Sequence, residues 1–205
     1  MAEKFETTLI ETYTLPSKGR LDNVSSEIVI RSMTTQEEKL RLGSTGRFFK
    51  TMSEIIDKCV VSPENFHSYD LTINDFVFLL YKLRIVSYGN NYKVSLTCPE
   101  CGKSFTTDQD LDKLNVVELP EEFSEPYDIG KLPRSKKKIG IKLLRTKEID
   151  EIAREADAIK KKYPDAKGDE TYPLRLQKQI VLIDGEHVVD SIKAKFVQDL
   201  QLVCE

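Results

Sequence analysis

The chain has 205 residues, of which 40% are hydrophobic and 32% charged, and its formal net charge is −3 at pH 7. This length and apolar content predict a globular protein of one domain or two small ones, and they exclude a disordered chain. The acidic balance, with a sequence pI of about 5.6, excludes a general electrostatic attraction to nucleic acid or to an anionic membrane surface.

The chain contains a degenerate repeat, in residues 15–37 and again in residues 132–148. Each copy has the pattern of a turn bounded by proline, a short alternating strand, and a helix start rich in Thr and Glu. The alternative is a chance similarity between two ordinary junctions of a strand with a helix. The paired segments are Leu15-Pro16-Ser17-Lys18 with Leu132-Pro133-Arg134-Ser135-Lys136, Ile28-Val29-Ile30-Arg31 with Ile139-Gly140-Ile141-Lys142, and Thr35-Gln36-Glu37 with Thr146-Lys147-Glu148.

The helix start of the first copy has the pattern of a capping box, in which two side chains satisfy the free N–H groups of the first turn. Either Thr34 with Glu37 or Thr35 with Glu38 fits this pattern. In the second copy Ile149 stands where a box would need a glutamate, so we expect a simpler cap there.

Two helices are predicted between the copies. In residues 48–60 the apolar side chains recur at helical spacing, and Cys59 lies on that stripe, where a core position is favoured over metal binding. Residues 73–86 are apolar on almost all sides, which predicts a central buried helix. The longest apolar run, residues 76–81, is too short to span a bilayer, so no membrane partner is expected.

Residues 92–107 are predicted to form a β-hairpin whose turn contains Cys98-Pro99-Glu100-Cys101-Gly102. A Cys-x-x-Cys turn of this kind directs two thiolates at one cation, and zinc is the cofactor that it favours. No secretory signal region is recognised at the N-terminus, so the cysteines are expected to be reduced and available to a metal.

Cys98 and Cys101 supply only half of the four ligands that a structural zinc ion takes. The site is therefore completed by scattered residues, completed by a second copy of the chain, or empty. His67 and Cys204 are the candidates within one chain, and Cys59 is less suitable because its stripe points into a core.

The second half of the chain is predicted to begin with an extended connector, residues 111–132, which is punctuated by proline and glycine. Three helices are then expected, over residues 149–163, 174–183 and 189–203, with His187 at the start of the last.

The predicted fold class is α+β and helix-dominated. It consists of two small lobes, each with a short strand that leads into helices, joined through a β-hairpin that carries a Cys-x-x-Cys knuckle. The expected bounds are 1–91 for the N-terminal helical lobe, 92–131 for the knuckle hairpin and extended connector, and 132–205 for the C-terminal helical lobe.

The sequence contains no pattern that is typical of an active site. A nucleophile elbow, a phosphate-binding loop and a dinucleotide-binding glycine triad are not recognised. His67 and His187 are interpreted as surface residues. The basic run 134–138 would suit a nucleic-acid backbone, so a zinc-knuckle nucleic-acid-binding regulatory protein is the alternative function, although the acidic pI argues against it.

Taken in order, several short motifs of residues 10–150 resemble the baseplate hub and hub-assembly proteins of T-even-type contractile-tailed bacteriophages. These motifs are Tyr13-Thr14-Leu15-Pro16-Ser17-Lys18-Gly19, Ile30-Arg31-Ser32-Met33-Thr34-Thr35-Gln36-Glu37-Glu38, Leu80-Tyr81-Lys82-Leu83-Arg84-Ile85, Ser87-Tyr88-Gly89, Cys98-Pro99-Glu100-Cys101 and Leu132-Pro133.

The resemblance implies a non-enzymatic structural or assembly component of a tail baseplate hub, acting through protein–protein contacts. Its expected partners are other phage baseplate or tail proteins and a second copy of itself, whereas nucleic acid is not an expected partner. The implied location is the tail baseplate of the virion, the host cytoplasm during assembly, or both.

Overall fold

The computed structural model describes residues 8–43, 48–132, 135–165, 168–189, 192–193 and 197. The chain divides into two compact units. The first unit comprises Met1–Ser68 and Asn74–Leu119, and the second comprises Tyr69–Ile73 and Pro120–Glu205.

The first unit contains a three-stranded antiparallel sheet of order β1-β2-β3, two helices that connect β2 to β3, a third helix, and a separate two-stranded hairpin. The buried face of β2 carries Ile28 and Ile30, and these side chains share the core with apolar residues of the helices. The elements are β1 (Ile10–Thr14), β2 (Glu27–Arg31), α1 (Thr35–Gly43), α2 (Phe48–Cys59), β3 (Val60–Ser62), α3 (Ile73–Tyr88), β4 (Asn91–Thr97) and β5 (Ser104–Asp110).

The helices α2 and α3 confirm the helical patterns predicted for residues 48–60 and 73–86. Phe76, Leu79 and Leu83 of α3 are at most 2% exposed, so α3 does supply much of the core. The first turn of α3 also anchors the loop after β1, because the buried Asp75 carboxylate accepts hydrogen bonds from the backbone N–H and the hydroxyl of Ser17.

The second unit contains a four-stranded antiparallel sheet of order β6-β7-β8-β9 and two helices that connect β7 to β8. One buried cluster includes Ile139, Ile180 and Ile183 of the sheet, and another joins Ile152 to Leu174 of the helices. The elements are β6 (Tyr127–Lys131), β7 (Lys138–Ile141), α4 (Thr146–Lys162), α5 (Thr171–Gln179), β8 (Ile180–Ile183) and β9 (Glu186–His187).

The two units repeat one topology, namely two strands, two helices and a returning strand, with the second strand in the centre. The return strand pairs with the central strand through a register shift at the same repeat position, between Val29 and Ile30 in one unit and between Gly140 and Ile141 in the other. A shared bulge is a specific structural feature rather than a by-product of composition. The predicted repeat is therefore confirmed, and chance similarity does not explain it.

The helix caps of the two copies use equivalent glutamates. Glu37 accepts a hydrogen bond from the Thr34 backbone N–H at 2.7 Å, and the Thr34 hydroxyl oxygen accepts one from the Gln36 N–H at 3.3 Å. Of the two pairs considered, Thr34 with Glu37 therefore caps the helix. In the second copy Glu148 accepts the N–H of Arg145 at 2.9 Å. A guanidinium has no acceptor atom, so Arg145 cannot complete the reciprocal half of the box, and this cap is the simpler one. The predicted reason was wrong, because the helix is capped at Arg145 and the position that a box requires is held by Glu148 and not by Ile149.

The predicted helix-dominated fold class is wrong. The described residues contain nine strands in three sheets beside five α-helices, which makes this a mixed fold of helices and sheets. The hairpin also does not join two helical lobes as a zinc knuckle, since it is grouped with the first unit and the described residues offer no third metal ligand. The missed strands are short and largely exposed, so they lack the alternation that reveals a strand in sequence.

Three predictions for the second half of the chain are corrected by the structure, and a fourth is mostly untested. Residues 111–132 are not only a connector, because they include β6, and the helix predicted to reach residue 183 ends at Gln179, where β8 begins. His187 lies in β9 instead of starting a helix. The helix predicted for 149–163 is confirmed by α4, and most of the helix predicted for 189–203 lies outside the described residues.

Candidate interaction site

The cysteine turn joins β4 to β5 at the end of the hairpin. The backbone N–H of Cys98 donates to the Lys103 carbonyl oxygen, and the N–H of Gly102 donates to the Cys98 carbonyl oxygen, both at 2.9 Å. Gly102 has a φ of +70°, which a residue without a Cβ adopts at little cost. The turn is therefore closed by backbone hydrogen bonds of its own.

The environment of Cys98 favours its thiolate. The backbone N–H groups of Cys101 and Glu100, followed by the Cys101 side chain, hydrogen-bond to the Cys98 sulfur and hold its pKa below the usual range of a thiol. A thiolate is the form that binds a metal or attacks an electrophile. Both cysteines are accessible, since Cys98 is half-buried and Cys101 is exposed.

The structure does not bring the other predicted ligands to this turn. Cys59 is fully buried in the core, where desolvation raises the pKa of its thiol to about 11. The His67 ring is exposed, with its Nδ1 4.0 Å from an Asp57 carboxylate oxygen, and Cys204 lies outside the described residues. Within the described part of the chain no three His, Cys, Asp or Glu side chains are grouped as a metal site would require.

A groove of about 480 Å³ is the second notable feature of the first unit. Buried Met52, Ile55 and Leu83 contribute apolar side chains to it, while the rim is built from partly exposed aromatic residues. The residues that line it are Met33, Arg41, Phe48, Met52, Ile55, Leu80, Tyr81, Leu83, Arg84, Tyr88, Tyr92 and Leu111.

The aromatic rim of the groove is organised around one arginine. The Arg84 guanidinium carbon lies 4.7 Å from the centroid of the Tyr88 ring and 5.7 Å from that of Tyr92. Arg84 Nη1 also donates to the Gly89 carbonyl oxygen at 2.8 Å. Stacking on two rings and a bond to the backbone hold this cation in place at the rim.

Sequence reasoning did not identify this groove, although one signal for it was present. A helix that is apolar on all sides must be covered on all sides, and α3 buries Leu79 and Leu83 while Tyr81 remains 45% exposed. Phe48, at the start of α2, is 56% exposed and lies at the same groove. The surplus of apolar residues on α3 was the signal in the sequence for this groove.

Comparison with known proteins identifies the family. A family model described as T4 bacteriophage base plate protein matches residues 7–200. The chain belongs to this family. No curated protein and no solved structure matches the chain significantly.

Membership of this family makes the chain a structural component of a phage tail baseplate, a setting in which proteins contact other tail and baseplate proteins. This confirms the phage-baseplate part of the resemblance seen in the sequence. None of the helices in the described ranges has the length and apolar character that crossing a membrane demands.

Proposed function

We propose that this baseplate component belongs to the hub of the tail baseplate, where it acts as a non-enzymatic structural or assembly part through protein–protein contacts. The order of its motifs, which resembles that of T-even hub proteins, supports the hub assignment. The observation that carries the proposed mode of action is the apolar groove of the first unit with its exposed aromatic rim.

The composition of the groove is that of a protein-binding surface. Phe48, Tyr81, Tyr88 and Tyr92 are between 45% and 56% exposed, and aromatic residues together with arginine contribute most of the binding energy at protein interfaces. In the described residues, the hydrogen bonds of Arg84 go to the backbone carbonyl oxygens of Gly89 and Asn91, so its charge is available to a partner.

The partner chemistry follows from this arrangement. We expect a segment of another baseplate protein that inserts apolar side chains into the groove and places a carboxylate against Arg84. An apolar insertion without the carboxylate would leave the guanidinium partly desolvated and less well paired. The complex forms in the host cytoplasm during assembly, in the finished baseplate, or in both.

Binding to purified baseplate proteins of the same phage tests this proposal. Tyr81→Glu and Tyr88→Glu place a charge in the apolar groove, and each is expected to weaken binding about 30-fold, the effect of losing a strong interface residue. The matched control is Tyr172→Glu, because Tyr172 is 59% exposed on α5 and does not line the groove.

The result to be measured is a dissociation constant for a partner identified by mass spectrometry in pull-downs from infected cells. Equal binding by the groove variants and the Tyr172 control would refute the groove as the docking surface. Recovery of RNA or DNA alone at physiological salt would favour the nucleic-acid-binding regulator instead. Antibody labelling of purified virions then shows whether the chain stays in the baseplate.

A further inference from the structure

The hairpin of β4 and β5 has one apolar face. Residues directly opposite each other in an antiparallel pair project to the same side, and the pair Leu96 with Phe105 lies on the same side as Tyr92 and Val94. The other side carries polar or charged pairs. Tyr92 is 47%, Leu96 44% and Phe105 52% exposed, so an uncovered apolar strip, defined here as these three residues with Val94, runs toward the cysteine turn.

A two-stranded hairpin in water is marginally stable and usually needs a third element over its apolar face. In the described residues β4 and β5 pair only with each other and form a sheet of their own. The strip ends at Leu96 and Phe105, the last cross-strand pair but one before the turn. Whatever covers these side chains is therefore adjacent to Cys98 and Cys101.

The turn itself is built as half of a tetrathiolate metal site. The backbone hydrogen bonds from Cys98 to Lys103 and from Gly102 to Cys98 hold both cysteines on one short loop. A structural zinc ion needs four ligands, and the described chain offers no third ligand next to these two. Within the described residues, therefore, the second pair of ligands is missing.

We propose that two copies of this chain share one zinc ion, each supplying Cys98 and Cys101, with the apolar strips of the two hairpins packed against each other. A two-fold interface uses the same patch on both partners. The same patch on the second copy supplies a second pair of thiolates to the metal and an apolar cover to the hairpin.

The charges of the turn favour a second copy over an unrelated protein. Glu100 and Lys103 flank the site and are exposed, so the turn carries one charge of each sign and is complementary to itself. Each of the four cysteines releases its proton when zinc binds, and no oxidant or reductant is needed.

Metal content and mass of the purified full-length chain test the proposal. We expect about one zinc per two chains and a dimer by light scattering, with conversion to monomer when a chelator removes the metal. Cys98→Ser with Cys101→Ser should abolish both zinc binding and the dimer while circular dichroism shows an unchanged fold. Cys59→Ala is the control, since it also removes a thiol but from the core, and it should keep zinc and dimer.

Cobalt substitution adds a count of the ligands, because the intensity of the thiolate-to-cobalt charge-transfer band reports how many sulfurs bind the ion. Four thiolates per cobalt are expected. Leu96→Glu with Phe105→Glu keeps the cysteines and should weaken the dimer at least tenfold, since it places charges in the apolar strip.

Several results would overturn the proposal. One zinc per monomeric chain would mean ligands within the chain, and a metal-free protein, with thiols free or joined as a disulfide, would leave no zinc site. A dimer that survives loss of both cysteines would place the interface elsewhere. The groove and the apolar strip share Tyr92, but Tyr81 lies outside the hairpin, so Tyr81→Glu should weaken partner binding and retain the zinc-bound dimer. The two proposals can therefore fail separately.

Discussion

The ion pair of Arg31 with Glu37 gives a quantitative prediction about stability. Glu37 is 4% exposed, and its carboxylate accepts from the Arg31 guanidinium at 3.0 Å and from the Thr34 N–H at 2.7 Å. The Arg31 hydrogen bond is the main cause that lowers the pKa of Glu37 from 4.5 to about 2, against the opposing effect of burial. Each unit of pKa shift corresponds to about 1.4 kcal/mol, so the charged form stabilises the fold by about 3 kcal/mol.

The sign of the pH dependence follows from the lowered pKa. The stabilisation is present above the pKa of the unfolded chain and is lost as the pH falls from about 5 to about 2, where the folded carboxyl takes up its proton. Glu37→Gln should therefore lower the free energy of unfolding by about 3 kcal/mol at pH 7. The difference from the parent protein should shrink toward zero near pH 2.

Urea unfolding followed by circular dichroism measures this, since the chain contains no Trp as a fluorescence probe. The control is Glu38→Gln on the same helix, where the Glu38 carboxylate pairs with Arg41 at 3.0 Å but both side chains are partly exposed. Such surface pairs contribute less than about 1 kcal/mol. If Glu37→Gln and Glu38→Gln cost the same, or if the Glu37→Gln deficit does not change with pH, the reasoning is refuted.

Two further substitutions test the core and one turn. Leu79→Asp places a charge at a position that is 0% exposed and should cost several kcal/mol, enough to unfold the first unit; a melting temperature equal to that of the parent would contradict the central position of α3. Gly19→Ala should be strongly destabilising, because Gly19 has φ +70° and a Cβ would lie 2.1 Å from the Val24 carbonyl oxygen. Gly43→Ala is its control, since a Cβ there meets nothing within 4 Å; equal melting temperatures of the two alanine variants would contradict the assigned turn.

The helices were predictable because each extends over enough residues to show a periodic pattern. α2, α3 and α4 have 12, 16 and 17 residues, enough for a periodic stripe or an all-round apolar surface to emerge. β1 and β3 have five and three residues, mostly exposed, and no pattern of that length separates a strand from a loop.

The end of α5 shows a different limit of sequence reasoning. The run Ile180-Val181-Leu182-Ile183 is apolar throughout, and such a run fits a buried helix as well as a strand. Pairing with β7 decides between them, since Ile183 lies opposite Ile139 and Leu182 opposite Gly140. The repeat contained that information, because β3 follows α2 in the first unit as β8 follows α5 in the second.

The two candidate sites also differ in how far the sequence predicts them. The turn of Cys98 and Cys101 was predictable because Pro and Gly at fixed positions specify it locally. The groove was not, since it combines α1, α2, α3 and β4, and no local pattern states which faces of four elements come together. The signal for the groove that the sequence does contain is the surplus of apolar residues in α3.

The repeated topology separates the elements that both units share from those that, in the described residues, only the first unit has. Two strands, two helices and a returning strand occur in both units, whereas α3, β4 and β5 have no counterpart among the described elements of the second. The unmatched elements carry Tyr81, Tyr88 and Tyr92 of the aromatic rim, the Arg84 cation, the apolar strip and the cysteine turn, while Phe48 of the rim lies on α2. The repeated elements carry the caps and share the core with α3, whereas both proposed binding surfaces lie mainly in the segment that has no counterpart among the described elements of the second unit. The two proposals thus place the contacts in a site added to a fold rather than in the repeated fold itself.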